Sequence, residues 1–84
     1  MKPVIYSREA TKTLRRIPVN TRQTIIGKIQ QYATEPESLA NNVKALKGNP
    51  GYFRLRVGDW RVIFREDGGV VAIVRIAPRD GVYD

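Results

Sequence analysis

The chain has 84 residues, 42% of them hydrophobic and 27% charged, the proportions of one soluble globular domain over residues 1–84 with a single core. It contains neither cysteine nor histidine, which excludes disulfides, thiolate nucleophiles, the usual zinc ligands and the commonest general base at neutral pH. Lys and Arg number 15 against 8 Asp and Glu, a net charge of +7; this predicts an anionic partner, nucleic acid ahead of an acidic protein or a membrane surface, although the same charge also suffices for plain solubility.

The opening MKPVIYSREA holds no long apolar segment. No run approaches the ~18 apolar residues of a membrane span, so neither a signal peptide nor a membrane anchor is expected. With no cysteine to oxidise, the cytoplasm is the expected compartment.

Pro3 to Tyr6 reads as a short strand, and Ser7 as the cap of a helix. Ala10, Leu14 and Ile17 recur at i, i+4 and i+7, one helical face, until Pro18 stops the run. A second helix is expected from Asn20 or Thr21, with Ile25, Ile29, Tyr32 and Ala33 on its apolar side, ending at Pro36. The two form a helical hairpin. Residues 37–50 are predicted to be mostly loop, with Leu39, Val43 and Leu46 folding onto the core and a turn at Gly48 to Gly51.

The period then changes from 3.6 to 2. Phe53, Leu55 and Val57 alternate with Tyr52, Arg54 and Arg56. Beyond a Gly58-Asp59 turn, Trp60, Val62 and Phe64 alternate with Arg61, Ile63 and Arg65. Asp67-Gly68-Gly69 makes a second turn, and Val70 to Ala77 is apolar at nearly every position, as a central strand is. The reading is an α+β fold of order β-α-α-β-β-β, its helical hairpin packed on one face of an antiparallel sheet.

The face left open carries the arginines. Arg54 and Arg56, two apart, point the same way, and Arg61 and Arg65 share that parity across the turn. Like charges opposed on a sheet repel, and no acidic residue of matching parity lies near to offset them. Such a cluster suits a phosphate group, which the guanidinium fork holds with two hydrogen bonds. The competing reading is that arginine merely covers the wet face of a strand. Arg79, just past the last strand, enlarges the cluster. Tyr83 can stack on a base or donate to a phosphate, or else tuck under the sheet edge. Lys44 and Lys47 can lengthen a backbone-binding track, or be ordinary solvated charges. Gly48, Gly51 and Gly58 lack the spacing of a phosphate-cradling loop. No serine has a histidine to activate it.

The runs ALKGNPGYFRLRVGDWRVIF and VVAIVRIAPRDGVY resemble the RelE/ParE superfamily of toxins from type II toxin–antitoxin systems, and the resemblance extends over nearly the whole chain. It implies a cognate antitoxin as partner. For RelE-type members it also implies metal-independent cleavage of messenger RNA in the 30S ribosomal A site, by attack of a ribose 2′-hydroxyl on the adjacent phosphate. ParE-type members share the fold and poison DNA gyrase instead. The family's functional positions fall on Arg54, Arg56, Arg61, Arg79 and Tyr83, a set that favours the RelE type. Lys44, Lys47 and Arg65 are expected to add RNA contacts. The two strand positions are lysines in the best-known RelE pattern, one of them assigned as general base. Arginine, which does not give up its proton in proteins, suits charge stabilisation there rather than proton abstraction.

Overall fold

In a computed structural model, which describes residues 1–81, the chain forms a five-stranded sheet with two helices against one face. The strands are β1 (Val4–Tyr6), β2 (Val43–Ala45), β3 (Tyr52–Val57), β4 (Trp60–Asp67) and β5 (Val70–Pro78), in spatial order β1-β5-β4-β3-β2. β1 runs parallel to β5 and every other pairing is antiparallel.

Helix α1 (Arg8–Arg16) begins where Ser7 Oγ accepts a 3.0 Å hydrogen bond from the Ala10 N–H. It ends at Ile17, whose extended backbone (φ −87°, ψ 159°) is the conformation a following proline imposes. Helix α2 (Val19–Thr34) starts one or two residues before the expected Asn20 or Thr21, with Pro18 at the cap position; the fixed φ of proline is pre-set for a helix start. Arg22 Nε donates to the Leu14 carbonyl at 2.8 Å, satisfying an orphan acceptor at the end of α1 and tying the hairpin together.

The two hairpin turns follow their glycines. Val57 pairs with Trp60, so Gly58 and Asp59 make a two-residue turn with a positive φ only at Gly58. Asp67 pairs with Val70 across Gly68 and Gly69, both at positive φ, as a type I′ turn demands.

The buried helix residues Ala10, Leu14, Ile25, Ile29 and Ala33 meet Leu55, Val57, Val62, Phe64, Val71, Ile73 and Ile76 of the sheet. Phe64 is central: its ring lies 4.8 Å from Tyr32 and 5.6 Å from Phe53, centroid to centroid. Trp60 is half-buried against this cluster.

Besides the parallel β1–β5 pairing in a sheet expected to be antiparallel and the earlier start of α2, two features depart from the sequence reading. The segment 37–50 is not mostly loop: a 3₁₀ turn over Pro36–Asn42 leads into β2, which pairs with Phe53, Arg54 and Leu55 of β3. A strand of three residues is too short for alternation to show. In β5 the register slips between Ile63 and Phe64 of β4, leaving Val74 as an extra residue. Ile73 and Ile76 therefore both face the helices, three apart rather than two. Ser7 Oγ donates to the Val74 carbonyl at 2.6 Å, so one hydroxyl both caps α1 and satisfies the bulge.

Candidate nucleic-acid interface

The sheet face away from the helices is built from the alternate residues of each strand. Arg56 stands opposite Arg61, Arg54 opposite Ile63, and Tyr52 opposite Arg65. Lys44 of β2 stands opposite Arg54. On the β5 side Ala77 pairs with Arg61, Arg75 with Ile63 and Ala72 with Arg65. Ile63, Ala72 and Ala77 are buried yet stand outside the main core. Ile63 lies between Arg54 and Arg75, both half-buried. Arginine stems thus cover a thin apolar floor while their heads remain in solvent, so part of this face does what any wet strand face does.

The remainder forms a cleft of about 260 Å³ lined by Asn41, Asn42, Lys44, Arg54, Arg56 and Arg61. Arg61 Nη1 donates to the carbonyls of Gly58 (2.9 Å) and Trp60 (3.0 Å). The β3–β4 turn thereby fixes one arm of the guanidinium. The Nε–H and Nη2–H donors have no protein partner among the described residues, and they form the two-pronged edge that takes a phosphate. Burial pushes the Arg61 pKa below its ordinary value; Arg54, Arg56 and Arg79 push the same way, and Asp59 opposes them. Three guanidinium groups are therefore close enough to act on that of Arg61. Among the described residues, neither Arg56 nor Arg61 forms an ion pair with a carboxylate.

Arg79 joins the group through its backbone. Pro78, the last residue of β5, pairs with Trp60, and the Arg79 N–H donates to the Asp59 carbonyl at 2.8 Å. A short 3₁₀ turn, Arg79–Gly81, is thus pinned to the tip of the β3–β4 hairpin. Its exposed side chain has a 3.9 Å contact with the equally exposed carboxylate of Asp80, a pairing worth little in water.

Of the residues expected from sequence, Lys44, Arg54, Arg56, Arg61 and Arg79 come together. Arg65 shares the face but stands farther along β4, opposite Tyr52 and 3.8 Å from Asp67. Lys47 is exposed in the turn after β2 and does not line the cleft. Tyr83 lies outside the described residues. Asn41 and Asn42, which sequence reasoning missed, form one wall; Asn42 Nδ2 donates to the Arg56 carbonyl at 3.4 Å. Their signal was faint, a pair of amides directly before an unrecognised strand.

No helix among the described residues is long and apolar enough to cross a membrane.

A toxin RelE3 of Methanocaldococcus jannaschii is 28% identical over 83 residues, covering 96% of this chain and 94% of that protein. The RelE chain of a RelE–RelB complex from Pyrococcus horikoshii superposes with a TM-score of 0.79 at 23% identity, over 96% of this chain and 98% of that one. The isolated E. coli RelE toxin superposes with a TM-score of 0.76 at 16% identity, over 93% and 84%. These likenesses establish the fold. The family model described as the ParE toxin of type II toxin–antitoxin systems matches residues 4–83, all but the ends of the chain. The chain belongs to this family of type II toxins.

Proposed function

We propose that the chain is a ribosome-dependent endoribonuclease that stops translation by cutting messenger RNA in the 30S A site. The observation that carries this reading is the cluster of Arg54, Arg56, Arg61 and Arg79 around one edge of the open sheet face. Arg61, one arm held by the turn carbonyls, and Arg79 grip the scissile phosphate. Arg54 and Arg56 neutralise the charge that grows on the phosphorane as the ribose 2′-oxygen attacks. The bond from phosphorus to the 5′-oxygen breaks; the 2′-hydroxyl proton is given up to solvent and the departing 5′-oxygen takes one from solvent, leaving a 2′,3′-cyclic phosphate and a 5′-hydroxyl. Tyr83 orients or stacks on a nucleotide. The ribosome aligns the substrate; alignment of this kind contributes ~7 kcal/mol or more in favourable cases, so free RNA is a poor substrate. The protein works in the cytoplasm, restrained by a cognate antitoxin, as the RelB complexes of its structural neighbours suggest.

Primer extension on mRNA from expressing cells tests this. Discrete stops within codons, absent for Arg61→Ala and Arg79→Ala, support it. The description of the matching family as ParE toxins favours a second reading, in which the same surface inhibits DNA gyrase without chemistry. Uncut mRNA together with lost supercoiling by purified gyrase would select that one.

A further inference from the structure

A second cluster of cations stands well away from the cleft. The cleft lies among β2, β3 and β4; α1 packs against β5, on the other side of the sheet. On α1, Arg8, Lys12, Arg15 and Arg16 recur at i, i+4, i+7 and i+8, one face, opposite the buried face of Ala10, Leu14 and Ile17. All four are exposed, and among the described residues none has an ion pair or side-chain hydrogen bond. The helix's single acid, Glu9, is turned to Arg75 at 3.5 Å. Arg8, Thr11, Lys12 and Arg15 border a shallow depression of about 370 Å³.

Stability does not account for this face. Arg15 and Arg16 complement the helix dipole at its C-terminal end, but Arg8 sits in the first turn, where a cation is unfavourable. Arg8 with Lys12, and Lys12 with Arg16, are like-charge i, i+4 pairs, which destabilise a helix. A stable surface helix would alternate the signs.

We infer that the α1 face binds the phosphodiester backbone of folded, double-stranded RNA, a contact separate from the cleft that takes the single strand. Its four cations span roughly 12 Å of helix; a DNA duplex carries about one phosphate charge per 1.7 Å of axis and the A-form RNA duplex is charged at least as densely, so several phosphates fall within the length of the row. Folded RNA is read largely through its shape and backbone, which lone cations suffice to hold. A protein partner fits less well. Interfaces between proteins centre on buried aromatic or apolar anchors, and the exposed large hydrophobic residues, Met1, Ile5 and Val19, are not on α1. The inference rests on the reading above that the target is RNA, and extends it: the duplex contact docks the protein while the cleft does chemistry.

The test uses a fully paired, labelled RNA duplex, which offers the cleft no unpaired strand, and fluorescence anisotropy across a salt series. The variant carries Arg8→Gln, Lys12→Gln and Arg15→Gln, changes that keep good helix formers on the surface. The slope of log affinity against log salt falls by about 0.7–0.9 for each lost phosphate contact, so by roughly 2 to 3 overall, and affinity near 0.1 M salt drops about tenfold or more. The variant melts at or above the wild-type temperature. An unchanged slope and affinity overturn the inference. So does loss of antitoxin binding with duplex binding intact, which would assign the face to an acidic protein. Since the duplex is not cut, a failed mRNA-cleavage experiment and a failed duplex experiment are read separately.

Discussion

Arg56→Gln should make the unliganded protein more stable. Arg56 and Arg61 are directly opposed across β3 and β4, Arg54 acts on the same Arg61 guanidinium, and among the described residues no carboxylate is paired to either member of the opposed pair. Cross-strand charge pairs are worth 0.2–1 kcal/mol, and here the sign is repulsive. Removing one charge while keeping an amide of similar reach should therefore gain about 0.5 kcal/mol, or roughly 2–4 °C in melting temperature for a domain of this size. The assay is thermal unfolding by far-UV circular dichroism at about 0.01 M and about 1 M NaCl. The Debye length falls from ~30 Å to ~3 Å between them, so the gain should vanish at high salt. If the proposed cluster holds inorganic phosphate in the folded state, phosphate should raise the wild-type melting temperature more than that of the variant. A lower or unchanged melting temperature at low salt, or a gain that survives 1 M salt, would refute the reasoning, because Arg56 and Arg61 would not then repel one another across the strands.

Three further outcomes are expected. Ser7→Ala removes the cap of α1 and leaves the Val74 carbonyl without its donor, and should cost about 1–2 kcal/mol in urea unfolding. Phe64→Ala empties the centre of the core, where the side chain is 1% exposed. The loss of about 3–5 kcal/mol consumes most of the stability of a typical small domain, visible as a lowered or absent unfolding transition. The Tyr32 hydroxyl donates to Glu66 Oε1 at 2.7 Å and Lys2 Nζ donates to Oε2 at 3.1 Å. The hydrogen bond from Tyr32 is the main cause that lowers the Glu66 pKa, with Lys2 assisting against burial; burial first, then Glu66, raises that of Tyr32. The carboxylate's contribution is thus present above its unfolded pKa and lost as pH falls through the folded one. The phenol's is present below its unfolded pKa and lost as pH rises through the folded one. Tyr32→Phe keeps the ring on Phe64 and should cost about 1 kcal/mol between these limits, the gap closing towards acid and towards strong alkali in stability measured against pH.

Where an element was long and one-sided, its residues alone determined it. Leu14 and Ile29 declared the helical faces, and Phe53 to Phe64 declared the hairpin with its register, because a slip of one residue would expose every core side chain of a strand. The open face followed from the same parity, and with it the proximity of Arg54, Arg56 and Arg61. β2 was hidden because three residues carry no period and its place is set by pairing with Leu55. The bulge at Val74 was hidden because β5 is apolar on both faces, so a change of parity leaves no mark. The convergence of Arg79 depended on a backbone hydrogen bond to Asp59, which no side-chain pattern records. The separation of Arg65 and Lys47 from the cleft likewise depended on where strands end rather than on which residues they contain.

The central claim is that the arginine cluster grips and activates one phosphodiester of A-site mRNA. The most direct measurement is a single-turnover reaction of purified protein with ribosomes programmed by an end-labelled mRNA, comparing wild type with Arg61→Ala shown by melting to be folded. The account predicts one cut within the A-site codon, a 2′,3′-cyclic phosphate and a 5′-hydroxyl at the new ends, and a rate lowered on the order of a hundredfold or more in the variant, the scale of losing one transition-state donor. Intact mRNA with the wild-type protein, or cleavage by Arg61→Ala at the wild-type rate, would contradict it.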